Sequence, residues 1–200
     1  FSDLPHLRPP SLLVKAKTMT LDAVTLRNLE IVKTIGDSSK DTLFAVLNKT
    51  STAGGSRKLK DWLLRPLHDL DKLNQRHDAV QELFDNTLSR REIKDILKGF
   101  QDVERLLSRL GHGSISPRDL DSLRTSLNTL KDLKQFLSEE PLKSKLMKRL
   151  VKSIDVHKQV SEKLEEALVE EPPLVLRDGG IFKKGYSEEL DDLRSRASSG

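Results

Sequence analysis

The segment SISPRDLDSLRTSLNTLKDLKQFL, residues 114–137, constrains the fold more than any other part of the chain. Ser116 is placed to cap a helix, Pro117 takes the first helical position where its missing N–H costs nothing, and Asp119 lies near the positive end of the helix dipole. Leu120, Leu123, Leu127, Leu130 and Leu137 follow at steps that keep one face, which predicts a helix of about five turns. Glu139-Glu140-Pro141 halts it. Such a helix buries its apolar stripe only against other elements, so a mainly α-helical body is expected.

The rest of the chain carries the same signature in shorter pieces. Asp22 is a plausible cap for a helix with Leu26, Leu29 and Val32 or Lys33 on one face, broken at Gly36-Asp37-Ser38-Ser39. Asp41 is placed to cap a second short helix, with Leu43, Val46 and Leu47 on its face, that ends in TSTAGG. Leu70, Leu73, His77, Val80, Leu83 and Phe84 mark a further helix. Leu88, Ile93, Ile96, Leu97 and Phe100 mark the next, and Val103, Leu106, Leu107 and Leu110 one stopped by Gly111-His112-Gly113. After Pro141, Leu142, Leu146 and Leu150 propose one helix and Ile154, Val160, Leu164 and Leu168 another.

Two places differ in kind. Residues 9–22, PPSLLVKAKTMTLD, alternate apolar and polar residues as a short strand does. In LVLRDGGIFKKGY, two short apolar pieces flank Asp178-Gly179-Gly180, a residue set that predicts a tight β-hairpin near 174–183. SEELDDLRSRASSG then restarts a helix, with Ser187 as cap and Leu190 and Leu193 on one face, still running where the sequence stops.

Composition narrows what such a body can do. At 36% hydrophobic, 33% charged and 4% aromatic, 200 residues build a modest core, in one elongated domain or two small ones. The chain has no cysteine, which excludes disulfides, a thiolate nucleophile and cysteine-based metal sites and fits a reducing, intracellular address. No apolar run is long enough to span a bilayer, and FSDLPHLRPP is neither a signal peptide nor a Met-initiated start, so a piece of a longer soluble protein is expected. Lys and Arg exceed Asp and Glu by 35 to 31, with the signs interspersed, as on a solvated helical surface. The basic stretches Arg57-Lys58-Leu59-Lys60 and Lys143 to Lys152 read first as ordinary charged faces with Asp and Glu nearby, and second as surfaces for a DNA backbone, without the interleaved aromatics that stack on bases.

The stretch GGSRKLKDWLLRPL, residues 54–67, raises the question of a phosphate loop. It lacks the order G-x-x-x-x-G-K-[ST], and no G-x-G-x-x-G follows a strand. A helix accounts for it: glycines that turn the chain, Ser56 as cap, Leu59, Trp62 and Leu63 as one buried face, and Arg65-Pro66 as the stop. The histidines at 6, 68, 77, 112 and 157 form no H-x-x-x-H pair, and His77 falls on an apolar helical face. Glu188, Glu189, Asp191 and Asp192 read as helix-surface acids, and no G-x-S-x-G elbow occurs. No catalytic, cofactor-binding or metal-binding residue is expected within these 200.

Read together, LDAVTLRNLEI (21–31), TLFAVLNKTSTAGGSRKLKDWLLRPL (42–67), RHDAVQEL (76–83), DVERLLSRL (102–110), SPRDL (116–120) and PPLVLRDGGIFKKGYSEELDDLR (172–194) strongly resemble the core of the MutS family, in its bacterial branch. The residues that carry the resemblance as structural markers are Asp22, Asn28, Leu29, Gly55, Ser56, Arg57, Leu59, Trp62, Leu63, Pro66, Leu67, Arg76, Pro117, Arg118, Asp119, Asp178, Gly179, Gly180, Gly185, Tyr186, Glu189 and Leu190. The resemblance implies that residues 1–20 end a connector, that 21–200 form the core, and that 187–200 begin a lever helix leading to a DNA clamp outside this chain. It further implies a non-catalytic part that couples DNA-contacting domains to a C-terminal ATPase using ATP and Mg. Mismatched double-stranded DNA, a second copy in a homodimer and a MutL-like protein are the implied partners, in the bacterial cytoplasm. A homologue with a recombination role, and an unrelated helical scaffold, are the competing readings.

Overall fold

A computed structural model describes residues 18–198, and ten α-helices account for most of them: α1 Ala23–Asn28, α2 Leu43–Leu47, α3 Ala53–Leu64, α4 Leu70–Asp85, α5 Thr87–Leu97, α6 Val103–Gly111, α7 Pro117–Glu139, α8 Lys145–Ser153, α9 Lys158–Ala167 and α10 Glu188–Ser198. The chain divides into two compact units, one of residues up to 49 together with 58–74, the other of 50–57 together with 75 onward. Most of the expected strand of residues 9–22 lies outside the described residues. Thr18, within it, makes an isolated antiparallel bridge to Leu67, and the Met19 N–H donates to the Pro66 carbonyl at 2.7 Å.

In the first unit, Asp22 caps α1, its carboxylate accepting from the Thr25 N–H at 2.6 Å. The helix is shorter than the apolar spacing predicts. Glu30 adopts a left-handed φ of 48° and turns the chain, and its carboxylate then accepts from the Ile35 N–H. The carbonyls of Glu30 and Ile31 accept from Leu43 and Phe44, which ties the start of α2 to that turn. The cap of α2 is Thr42 rather than Asp41: its hydroxyl accepts from the Ala45 N–H and donates to the Ser39 carbonyl, and Thr42 is buried while Asp41 is exposed. Leu43, Val46 and Leu47, expected on a packed face, are largely exposed.

The α3 helix begins three residues before the expected cap Ser56. Thr52 fills the role assigned to Ser56, its hydroxyl accepting from the Gly55 N–H at 3.0 Å, so Gly54 and Gly55 form the first turn instead of a loop. Leu59, Trp62 and Leu63 are half-buried, and the helix stops before Arg65-Pro66 as the proline requires.

The second unit is organised by α7, against which α5, α6, α8 and α9 pack. Ser116 and Asp119 form a reciprocal capping box at its start, and Pro117 is fully buried. Toward its end Leu137 joins Ala79 of α4 and Met147 of α8, with Ile93 and Phe136 around them; nearer its start Leu123 and Leu127 meet Leu106 of α6 and Leu164 of α9. The face of α4 that turns inward carries Ala79, while His77, Val80 and Phe84 are exposed. The buried position of α4 is thus small Ala79 and not the larger apolar residues that mark the helix in the sequence.

The expected β-hairpin near 174–183 does not form. Asp178 closes a single 3-10 turn, Leu176–Asp178, and Gly179 and Gly180 take positive φ values of 66° and 67°. The glycines supply the turn, but the pairing is non-local: Phe182 bridges Leu168, the Val169 N–H donates to the Ile181 carbonyl and the Lys183 N–H to that of Ala167. Leu174 and Leu176 are left exposed, behind Pro172-Pro173, which offer no N–H to a ladder. Among the described residues no strand is assigned, and no helix is long and apolar enough to cross a membrane.

Candidate functional site

A connected set of tertiary polar contacts links α7, the end of α9 and the root of α10. Arg124 stands on the buried side of α7 beside Leu123 and Leu127, and its residue is 9% exposed. A charge there is costly unless every donor is used. Its guanidinium pairs with Asp121 and with Glu165, and donates to the carbonyls of Leu168 at 3.3 Å and Glu170 at 3.1 Å. Leu168 is the C-cap residue of α9, and Glu170 lies two residues beyond it. Thus α7 holds the exit of α9.

The pairing of 167–169 with 181–183 passes that position on. Lys183 adds a side-chain bond to the Glu165 carbonyl at 2.5 Å. Phe182 and Tyr186 then stack at 5.5 Å between ring centroids, with an 11° interplanar angle. Gly185 between them has φ 86°, a conformation that favours glycine, and its N–H donates to Asp191 of α10 at 2.6 Å. Asp191 also pairs with Arg194, whose guanidinium reaches back to the Phe182 carbonyl at 3.0 Å. The Ser187 hydroxyl accepts from the Leu190 N–H, capping the helix as the sequence predicts. A groove of ≈ 390 Å³ opens beside the stack, lined chiefly by Val160, Leu164, Leu168, Phe182 and Tyr186.

Two other polar joints position the elements of this unit. Arg57, in the second turn of α3, grips Asp102 with both guanidinium nitrogens at 3.0 and 2.8 Å and also pairs with Glu104. That bond holds the Asp102 carboxyl below its usual range and raises Arg57. Asp102 in turn caps α6. Arg57 therefore serves a carboxylate pair, not a phosphate. Glu82 of α4 accepts from the N–H groups of Lys143 and Ser144 ahead of α8; burial pushes its carboxyl up, but these bonds outweigh it and the net shift is downward.

The remaining marker residues scatter. Asn28, Leu29, Arg118, Asp178, Gly179, Gly180 and Glu189 are exposed, Pro66 and Leu67 hold the bridge to Thr18 and Met19, and Ser56 lies within α3. Arg76 is half-buried, which depresses its guanidinium. Asp119 accepts from the Ser116 N–H and pairs with Arg109 at 2.7 Å. Gly185, Tyr186 and Leu190 come together at the root of α10. Arg124 and Asp102 carry more of the geometry than most of the marker residues. An arginine between two core leucines of a long helix was a legible anomaly, and a carboxylate just before Val103 was a legible cap. Among the described residues, no group of three His, Cys, Asp or Glu is placed to hold a metal, and His68, His77, His112 and His157 are exposed.

Comparison with known proteins agrees with the resemblance. The family model described as MutS domain III matches residues 24–199. The chain is 39% identical over 201 residues to the DNA mismatch repair protein MutS of Methanosarcina acetivorans, covering 98% of this chain and 22% of that protein. It is 40% identical over 198 residues to that of Pelotomaculum thermopropionicum, covering 98% and 23%, and 41% over 183 residues to that of Halothermothrix orenii, covering 91% and 20%. The chain thus spans about a fifth of the length of these relatives. On the match across 24–199 and these identities, the chain belongs to the MutS family, as its domain III.

Proposed function

We propose that this segment is the non-catalytic core and the start of the lever of a DNA mismatch-repair protein, and that it couples DNA-contacting domains to an ATPase carried elsewhere in the same protein. The observation that carries the reading is the unbroken relay from Arg124 on α7, through the carbonyls of Leu168 and Glu170, through the pairing of 167–169 with 181–183, to Gly185 and Asp191 at α10. Packed helices joined in this way shift as units, because close-packed interiors do not deform continuously. Coupling of this kind is a free energy shared between two sites, so a displaced α10 and the nucleotide state bias each other. In this reading mismatched duplex DNA, ATP with Mg, a second copy of the protein and a MutL-like protein are partners of the whole protein, acting in the cytoplasm.

The test is made in the full-length protein that carries this segment. Arg124→Gln removes the relay's first bonds and leaves any nucleotide site untouched. ATP turnover without DNA is expected to persist while the change on adding mismatched duplex falls to that seen with matched duplex. Full mismatch response in a folded Arg124→Gln variant would overturn the coupling role.

A further inference from the structure

The α8 helix has a charge pattern that the relay does not use. Between 143 and 152 the chain places five cations, Lys143, Lys145, Lys148, Arg149 and Lys152, and no acid. At about 100° per residue, the four within α8 share an arc of about 100°, centred opposite the face that carries Leu146, Met147, Leu150 and Val151. Met147 is buried and Leu146 and Val151 pack on the same core, so the helix's roll is fixed and the cations all face solvent. Lys72, Lys98 and Lys158 each close on a carboxylate three or four residues away, whereas the four cations of α8 have no such partner among the described residues. Glu82, which feels the charge of Lys148, has both oxygens committed to the N–H groups of Lys143 and Ser144. The other long helices mix both signs on their polar faces, as α4 does with Asp71, Lys72, Asp78 and Glu82.

We propose that the outer face of α8 is a docking site for the sugar-phosphate backbone of duplex DNA, engaged by Lys145, Lys148, Arg149 and Lys152 without reading sequence. The four span about 10.5 Å of helix axis at 1.5 Å per residue, against about 3.4 Å of duplex axis per phosphate on each strand, so the row matches about three phosphate steps. No aromatic residue lies between 143 and 154 to stack on a base, which confines the contact to phosphates. A membrane-surface helix needs its apolar face free, and here that face is taken up by the core. The choice of duplex DNA among polyanions rests on the mismatch-repair reading above; the site itself rests on the geometry of α8.

Fluorescence anisotropy with a labelled, fully matched 30-base-pair duplex and the 200-residue chain tests this across a salt series. With four phosphate contacts, log Kobs is expected to fall against log salt with a slope of about −3.6, at about −0.9 per contact. Lys148→Gln with Arg149→Gln should halve that slope to about −1.8 and weaken binding at least tenfold at low salt. The charge-matched pair Arg91→Gln with Lys94→Gln on α5, both exposed, should leave the slope unchanged. Equal losses in both double variants, or no loss in the α8 pair, overturns the proposal, as does stronger binding to anionic vesicles or polyglutamate than to duplex. Circular dichroism of each variant excludes unfolding as the cause. Because matched duplex and no nucleotide are used, failure here leaves the Arg124 coupling test standing, and failure of that test leaves this one standing.

Discussion

The guanidinium of Arg124, in the first half of α7, donates to the main-chain carbonyl of Leu168, forty-four residues away at the end of α9, at 3.3 Å. Leu168 is itself 1% exposed, so neither group has water to fall back on. Removing the donor leaves the buried Leu168 carbonyl, the more exposed Glu170 carbonyl and two carboxylates without their partner.

Arg124→Ala is therefore expected to cost about 2–4 kcal/mol, the range for stranding buried hydrogen-bonding partners. Urea denaturation measures the loss. Arg124→Lys should recover little of it, because a single ammonium cannot reach the carbonyls and carboxylates together. Near-complete rescue by lysine would mean that charge alone, not the forked geometry, holds the exit of α9.

A second expected outcome concerns the contact of α5 with α7. A Cβ built on Gly99 would lie 2.7 Å from the Oγ1 of Thr129, whose residue is 7% exposed. Gly99→Ala should destabilise by about 1–3 kcal/mol, as overpacking does. In Gly99→Ala with Thr129→Ala the obstacle is gone, so the two changes should combine to less than their sum by about 1 kcal/mol. Additive effects in the denaturation cycle would show that the helices move apart freely.

How far the sequence discloses this fold depends on whether the cause is local. The start of α7 is legible because Ser116, Pro117 and Asp119 each act within one turn. The cap of α3 is less so: Thr52 and Ser56 are equally good caps, and the structure chooses Thr52, admitting two glycines into the helix. The hairpin fails for a different reason. Asp178-Gly179-Gly180 specifies a turn but not which strand returns, and the partner of Phe182 proves to be Leu168. Arg124 lies at the same limit, since nothing near it in sequence announces the carbonyls at 168 and 170. The root of α10 was legible as a group, from Gly185 through Leu190, while the bond from Gly185 to Asp191 was not, because Asp191 read as one surface acid among four.

Trp62 tests the first unit separately. Its residue is half-buried on the α3 face with Leu59 and Leu63, in a unit whose fully buried side chains are few. Trp62→Ala should cost about 2 kcal/mol, roughly half the value for a fully buried large-to-small change. Tryptophan fluorescence is lost with the side chain, so the thermal midpoint is read by circular dichroism. An unchanged midpoint would remove the packing role.

Acid stability follows from Asp119. The Ser116 N–H, and after it Arg109, holds this carboxyl below its usual value. A carboxylate depressed in the folded state stabilises above its unfolded pKa of about 3.9, and the contribution is lost as pH falls through the lower folded value. Asp119→Asn should therefore be less stable than the parent at neutral pH, and the gap should close as pH falls below about 4. Denaturation at a series of pH values measures the gap. A constant gap would assign the loss to the shape of the side chain and not to its charge.

The last expectation concerns how α10 is launched. Asp191→Ala removes the acceptor of the Gly185 N–H and the partner of Arg194, yet leaves the φ of 86° at Gly185 allowed. Gly185→Ala does the reverse: the acceptor stays, and the backbone pays about 1–2 kcal/mol for a left-handed residue with a Cβ. Both should raise amide exchange across 187–197, but their signatures differ. With Asp191→Ala, the loosening should stay mainly in α10, because the backbone bonds that pair 167–169 with 181–183 do not include Asp191, which touches them only through Arg194. With Gly185→Ala, the strain acts between Phe182 and Tyr186, so their stack and the amides of Val169 and Lys183 should loosen too. Tyr186 and Leu193 are 39% and 56% exposed, so an unfastened α10 bares further apolar surface and should raise light scattering with concentration. If Asp191→Ala instead loosens 167–183 as strongly as Gly185→Ala does, the root of α10 is a single cooperative body, and the relay has no step at Gly185.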